Sequence, residues 1–166
     1  MMPSYPTPAA MIPFRDDGPE QMSKRRQDIV RLARHWIGTP YHHQASLQGV
    51  GCDCLGLVRG VWRELYGEEP EALVAYTADW GEVAGSETLF EAAERHLMQV
   101  SQHRYGPGDV LIFRLRADAI AKHTGIAASR QTMIHAQEGV AVSEVFLGRW
   151  WRRRIAGAFS FPGVTD

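Results

Sequence analysis

A chain of 166 residues, 45% hydrophobic and 22% charged, is long enough for one domain with a sizeable core and needs no disulfide or metal to hold it. A formal net charge of −1 argues against nucleic acid as a partner, and no apolar run is long enough to insert in a membrane. The only cysteines, Cys52 and Cys54, stand one residue apart, too close for an unstrained mutual disulfide, so they say nothing of redox compartment.

Residues 1–20 read as an irregular tail, broken by Pro3, Pro6, Pro8 and Pro13. They lack the basic start and apolar core of a secretory leader, so the expectation is synthesis in the cytoplasm without a signal peptide. Residues 21–166 then form a single domain. Ser23 caps a helix over 23–37 that buries Ile29, Leu32, Ala33, Trp36 and Ile37 and stops at Gly38. A loop rich in Gly, His and Gln leads to Asp53, a good N-cap, and to a helix over 54–66 with a stripe of Leu55, Val58, Trp62 and Leu65. Residues 67–84 are acidic and aromatic without a clear period, and read as a surface loop. A third helix starts near Ser86 or Thr88, where Thr88 and Glu91 would form a capping box. Beyond it come short runs rich in Val, Ile, Phe and Thr, over 109–115, 123–128, 132–136, 140–145 and 154–161. Helices first and strands second predict an α+β fold, with the helices on one face of an antiparallel sheet of about five strands.

Cys54 is placed where chemistry is possible. In the first turn of a helix, unpaired N–H groups and the helix dipole favour an anion, so a thiol there is expected to lose its proton more readily. It needs a base. Of seven histidines, His123 and His135 alone fall on predicted strands. His35, His42, His43, His96 and His103 fall on helices or loops. A Cys at a helix start facing a sheet His, with a third group orienting the imidazole, is the geometry of a papain-like site. A zinc site from His42, His43, Cys52 and Cys54 is disfavoured, because Cys-x-Cys is tighter than usual ligand spacing and adjacent histidines point apart. No metal and no cofactor are expected.

Several runs, in order, resemble the NlpC-type cell-wall cysteine peptidases, a compact papain-like family. They are Gly38-Thr39-Pro40-Tyr41, Asp53-Cys54-Leu55-Gly56-Leu57-Val58, Pro107-Gly108-Asp109-Val110-Leu111-Ile112-Phe113, His123-Thr124-Gly125-Ile126 and Met133-Ile134-His135-Ala136. The resemblance spans about residues 24–162. It implies Cys54 as nucleophile, His123 as general base and then acid, and His135 as the orienting third member. It also implies Tyr41 beside the thiolate and Asp53 facing a substrate amine. The implied substrate is a peptidoglycan stem peptide, cut typically between D-γ-glutamyl and a diamino acid. Where the family usually has Ser after the Cys, this chain has Leu55. The Asp-Cys-Leu-Gly-Leu and Ile-His-Ala runs resemble most the branch carried by phage tails and gene transfer agents. That implies tail or baseplate partners and action at the cell wall or in the periplasm. A catalytically silent tail module and an acyltransferase using the same thioester are the alternatives.

Two stretches carry further expectations. Arg149-Trp150-Trp151-Arg152-Arg153-Arg154 reads as a final strand with aromatics inward and arginines outward, or as an attachment surface for a partner. His123 and His135, 12 residues apart, share a face only if their hairpin has an odd turn or a bulge. A three-residue turn, Ser129-Arg130-Gln131, would set Gly125 opposite His135 and turn both imidazoles toward Cys54.

Overall fold

Helix α1, Arg26–His35, carries Ile29, Val30, Leu32 and Ala33 on its buried face, and Trp36 at its C-cap is 3% exposed. Ile37, expected inside, is 45% exposed, because the helix has ended and Gly38 turns the chain away with φ +89°. The computed structural model describes residues 24–71 and 87–166. The tail, the Ser23 cap, Ser86 and residues 72–84 of the acidic and aromatic stretch lie outside them; Arg25 stands at the cap position of α1.

The loop after α1 contains a small hairpin, β1 (Ser46–Leu47) with β2 (Gly51–Cys52). Helix α2, Cys54–Tyr66, follows at once. Its buried face is broader than the expected stripe. Leu57 and Val61 are fully buried, whereas Leu55 and Trp62 are only partly covered. Two glycines let it come close to its neighbours. A Cβ on Gly60 would stand 2.0 Å from the Trp36 ring, and one on Gly56 would stand 2.0 Å from the Ala45 carbonyl oxygen. Neither distance is tolerable, so both positions require Gly.

Helix α3, Thr88–His96, lacks the expected capping box: Glu87 holds the cap position and makes no side-chain cap bond. The Glu87 carboxylate instead accepts from the Ala121 N–H and pairs with Arg114, tying α3 to the sheet. The sheet comprises β3 (Met98–Val100), β4 (Val110–Phe113), β5 (His123–Ala127), β6 (Thr132–Gln137), β7 (Val140–Phe146) and β8 (Ile155–Ser160). Among the described residues it has six strands, one more than the five runs read from the sequence, in the order β3-β8-β4-β5-β6-β7, with every neighbouring pair antiparallel. The additional strand is β3, too short and too exposed to show a period of two.

Alternation along the strands divides the core in two. Val110, Ile112, Ile126, Ile134 and Phe159 face α1 and α2, together with Leu57 and Val61. Leu111, Phe113, Ala127, Met133 and Ala158 face the other way and pack with Tyr105 and Leu147. That second face needs a cover, and the chain supplies it when it passes from the edge strand β7 to β8. There, a one-turn helix, α4 (Arg149–Arg152), replaces the start of the expected final strand, which begins only at Ile155. The α+β class is as expected from the order of elements.

Candidate active site

Asp53 caps α2 as its residue type requires. One carboxylate oxygen accepts from the Gly56 N–H at 2.7 Å, and the other accepts from the Gln44 N–H at 2.7 Å. The His43 ring lies 3.8 Å from the second oxygen. The side chain is almost wholly buried, so in this arrangement it joins the loop to the helix rather than facing an open cleft. Ser46 reinforces the junction by donating to the Gly56 carbonyl at 2.5 Å.

With its helix so anchored, the half-buried Cys54 meets β5 at its first residues. The thiol donates to the Lys122 carbonyl at 3.8 Å, and the Thr124 N–H is directed back at the sulfur. These are the residues on either side of His123. Cys52, by contrast, is fully buried and donates its S–H to the Asp53 carbonyl at 3.1 Å.

The histidine hairpin has the odd turn. Ile126 pairs with Ile134 and Ala127 with Met133, and the Ala128 N–H closes on the Thr132 carbonyl. Ser129, Arg130 and Gln131 are therefore the turn, and the register continues to Gly125 opposite His135. A Cβ on Gly125 would lie 3.1 Å from the His135 Cβ. Both imidazoles share one face, and His123 Nε2 lies 2.8 Å from His135 Nδ1. That face is the one turned away from α1 and α2, shared with Phe113 and Met133. Cys54 thus meets the backbone on either side of His123 at the start of β5, while the imidazole lies on the face turned away from the helices. Because Nε2 is committed to His135, Nδ1 is the ring nitrogen left to take a proton.

Burial sets the resting charges. It pushes His123 down to about 3, with His135 adding to the effect, and pushes His135 down to about 4. Both are neutral at pH 7. Either neutral ring can donate across the contact; the tautomer with the His123 proton on Nε2 and His135 accepting at Nδ1 is the one that leaves His123 Nδ1 open as a base. The thiol departs from expectation. Burial pushes Cys54 up to about 12, and the Asp53 carboxylate adds to this. The N–H groups of Thr124, Leu55 and Cys54 pull the other way without prevailing. Helix-start position alone does not make a thiolate, because the carboxylate that caps the helix is itself an adjacent negative charge.

Tyr41 is bridged to Cys52 through the backbone and is partly buried. Burial, then the nearby Cys54 and Asp53, pushes its phenol up to about 12, so it remains a donor beside the sulfur. A side chain that spacing did not single out completes the surroundings. Trp151, on α4, stacks on His123 with centroids 5.5 Å apart and meets His135 edge-on at 5.3 Å. Nothing in the interval between residues 123 and 151 announces this contact; it follows from the path between β7 and β8.

Residues 38–159 match the NlpC/P60 family. The chain belongs to that family. NlpC/P60 proteins are cell-wall peptidases, and the match takes in all five candidate residues. Over 138 residues the chain is 27% identical to the gamma-DL-glutamyl hydrolase of Bacillus subtilis (strain 168), covering 82% of this chain but only 30% of that protein. Its fold is similar to the NlpC/p60 domain of the peptidoglycan hydrolase SagA, with a TM-score of 0.60 and 22% identity, over 82% of this chain and 99% of that one. It is also similar to an NlpC/P60 family protein from Bacillus cereus ATCC 10987, with a TM-score of 0.61 and 18% identity, over 84% of this chain and 41% of that one. Leu55, where Ser is usual in NlpC/P60 proteins, fits its surroundings. With Val58, Trp62, Leu89 and Thr124 it lines an apolar cavity of about 110 Å³ between α2, α3 and the sheet.

The neutral histidines make stability depend on pH. A folded value below the unfolded 6.5 means that the unfolded chain binds protons first, so their stabilisation is complete above 6.5 and is lost as pH falls toward about 4. The thermal midpoint is expected to fall between pH 7 and pH 4.5, and to fall less steeply in a His135→Gln variant. Parallel pH curves for the two proteins would contradict the assignment of a buried neutral His135.

Proposed function

We propose that the chain is a cysteine peptidase that hydrolyses an amide bond in peptidoglycan stem peptides. Cys54 is the nucleophile, His123 the base and then the acid, and His135 the group that orients His123. The observation that carries this reading is a thiol held against the backbone on both sides of His123, while His123 itself bonds to His135 at 2.8 Å.

At rest both partners are neutral. As the sulfur attacks the carbonyl carbon, its proton passes to Nδ1 of His123, whose Nε2–H keeps donating to His135. Each charge then stabilises the other, so proton transfer and attack proceed together. The carbonyl oxygen becomes an oxyanion near the N–H groups at the start of α2, with the Tyr41 phenol as a further donor. Each such donor is worth about 3–4 kcal/mol. The His123 imidazolium protonates the leaving amine, the C–N bond breaks, and a thioester remains on Cys54. Water, deprotonated by His123, releases the acid and restores the thiol.

The bond between D-γ-glutamyl and a diamino acid is the proposed target, supported by the similarity to the gamma-DL-glutamyl hydrolase of Bacillus subtilis. Asp53 acts foremost by fixing Cys54. A substrate amine approaching its carboxylate would have to compete with the Gln44 N–H. Delivery by a phage-like tail is proposed from the Asp-Cys-Leu-Gly-Leu and Ile-His-Ala runs; peptide mapping of purified particles should find the chain among tail proteins, and its absence there would remove that reading.

Mass spectrometry of fragments released from purified sacculi tests the chemistry. Cys54→Ala should lose release by at least about a thousandfold, the scale of removing a nucleophile, while Cys52→Ala keeps most of it. Equal release by wild type and Cys54→Ala would end the proposal. Added amine acceptors separate hydrolysis from acyl transfer, since only the latter yields amine-capped fragments.

A further inference from the structure

Of the basic and aromatic run at 149–154, Trp151 alone turns onto the histidines. Its ring lies within 29° of parallel to His123 and 88° from His135, at 5.5 and 5.3 Å. Phe113 completes the enclosure, with its centroid 5.1 Å from Trp151 and 5.9 Å from His123, its partner across β4 and β5. His123 is thus bounded by Phe113 from β4, His135 from β6 and Trp151 from α4.

The placement follows from topology. With strand order β3-β8-β4-β5-β6-β7, the chain must cross β6, β5 and β4 to pass from β7 to β8. It does so over the histidine face. The crossing is fixed at several points. Arg152 donates to the Leu147 carbonyl at 2.7 Å and to the Arg130 carbonyl in the histidine hairpin turn at 3.1 Å. Arg154 donates to the Leu115 carbonyl at 3.0 Å and lies 3.9 Å over the Trp150 ring. Trp150 meets Trp151 edge-on at 4.8 Å and is itself 52% exposed. The arginines therefore staple the crossing, and Trp151 is the side chain that it delivers.

We propose that Trp151 is a positioning residue, its indole clamping His123 in the orientation that donates Nε2–H to His135 and shielding that hydrogen bond from water. This rests on the reading of Cys54 and His123 as the reacting pair. A bare imidazole at the start of a strand can turn about its side-chain bonds, and water can replace His135 as acceptor. An indole stacked on one ring and abutting the other prevents both. Among the described residues, His135 on β6 is the titratable side chain that meets the His123 ring, and Cys54 at the start of α2 lies against the backbone on either side of it; Phe113 and Trp151 bring no charge. Shielding therefore acts on His123 through solvent exclusion, the same cause that holds it neutral at rest.

Two variants and two readouts test the clamp. Trp151→Leu removes the aromatic plane, and Trp151→Phe keeps one; circular dichroism and thermal melting identify folded protein. In wild type and Trp151→Phe, NMR should show a slowly exchanging, downfield imidazole N–H from the His123–His135 bond. In folded Trp151→Leu that signal should broaden or vanish. With muropeptide substrate, Trp151→Leu should lose roughly a hundredfold in kcat, the scale of a small misplacement, with KM little changed. Its acidic kcat limb should move up toward ordinary histidine values, and Trp151→Phe should recover most of the rate. A Trp151→Leu protein that keeps the protected N–H and an unshifted acidic limb overturns the proposal, even if less of it folds. Should wild type cleave no muropeptide, the peptidase reading fails while the N–H signal still decides whether Trp151 clamps the pair.

Discussion

A hydrogen bond between two imidazoles requires that one ring accept, and a protonated imidazole cannot. The 2.8 Å bond between His123 and His135 therefore holds only where at least one ring, the acceptor, is kept from taking a proton at working pH. The sheet meets this requirement by burying the pair on a second inner face, between Phe113, Met133 and the crossing that carries Trp151. His135 differs from a carboxylate in the same place. In the proposed mechanism it orients and accepts, but brings no negative charge to steady a His123 imidazolium. There that charge is balanced by the negative charge that passes from sulfur to the carbonyl oxygen in the same step, which favours transfer coupled to attack over an ion pair at rest.

The start of α2 shows a conflict of local demands. Asp53 is the right residue to cap a helix and to hold the loop through Gln44, yet its charge beside Cys54 raises the thiol. Backbone N–H groups from Cys54, Leu55 and Thr124 oppose it. Those same groups are where an oxyanion would find its donors. In the proposed reaction, a weakly acidic resting thiol beside such donors places the stabilisation in the transition state and not in the ground state.

Much of this was legible in the residues. An odd turn was the condition for both histidines to share a face, which Ser129, Arg130 and Gln131 meet, and the cap at Asp53 followed from its side chain and position. Both are local. The rest is set elsewhere in the chain. β3 is three residues long and forms because β8 offers an edge, and Glu87 caps nothing because Arg114 and Ala121 claim its carboxylate. The run 149–154 has β-type composition but becomes a helical turn, because the chain must cross three strands there. The contact of Trp151 with the histidines belongs to that crossing. The Cys54 thiol departs from expectation for a different reason: the N–H groups at the helix start favour a thiolate, but burial and the capping charge oppose it more strongly.

The most direct measurement of the central claim is stoichiometric alkylation of wild-type protein with iodoacetamide, with peptide mapping and residual hydrolysis followed on the same samples. Cys54 should react while the fully buried Cys52 stays unmodified, and hydrolysis should decline in proportion to Cys54 alkylation and reach zero with it. Protein fully alkylated at Cys54 that still cleaves stem peptides at the unmodified rate would contradict the account.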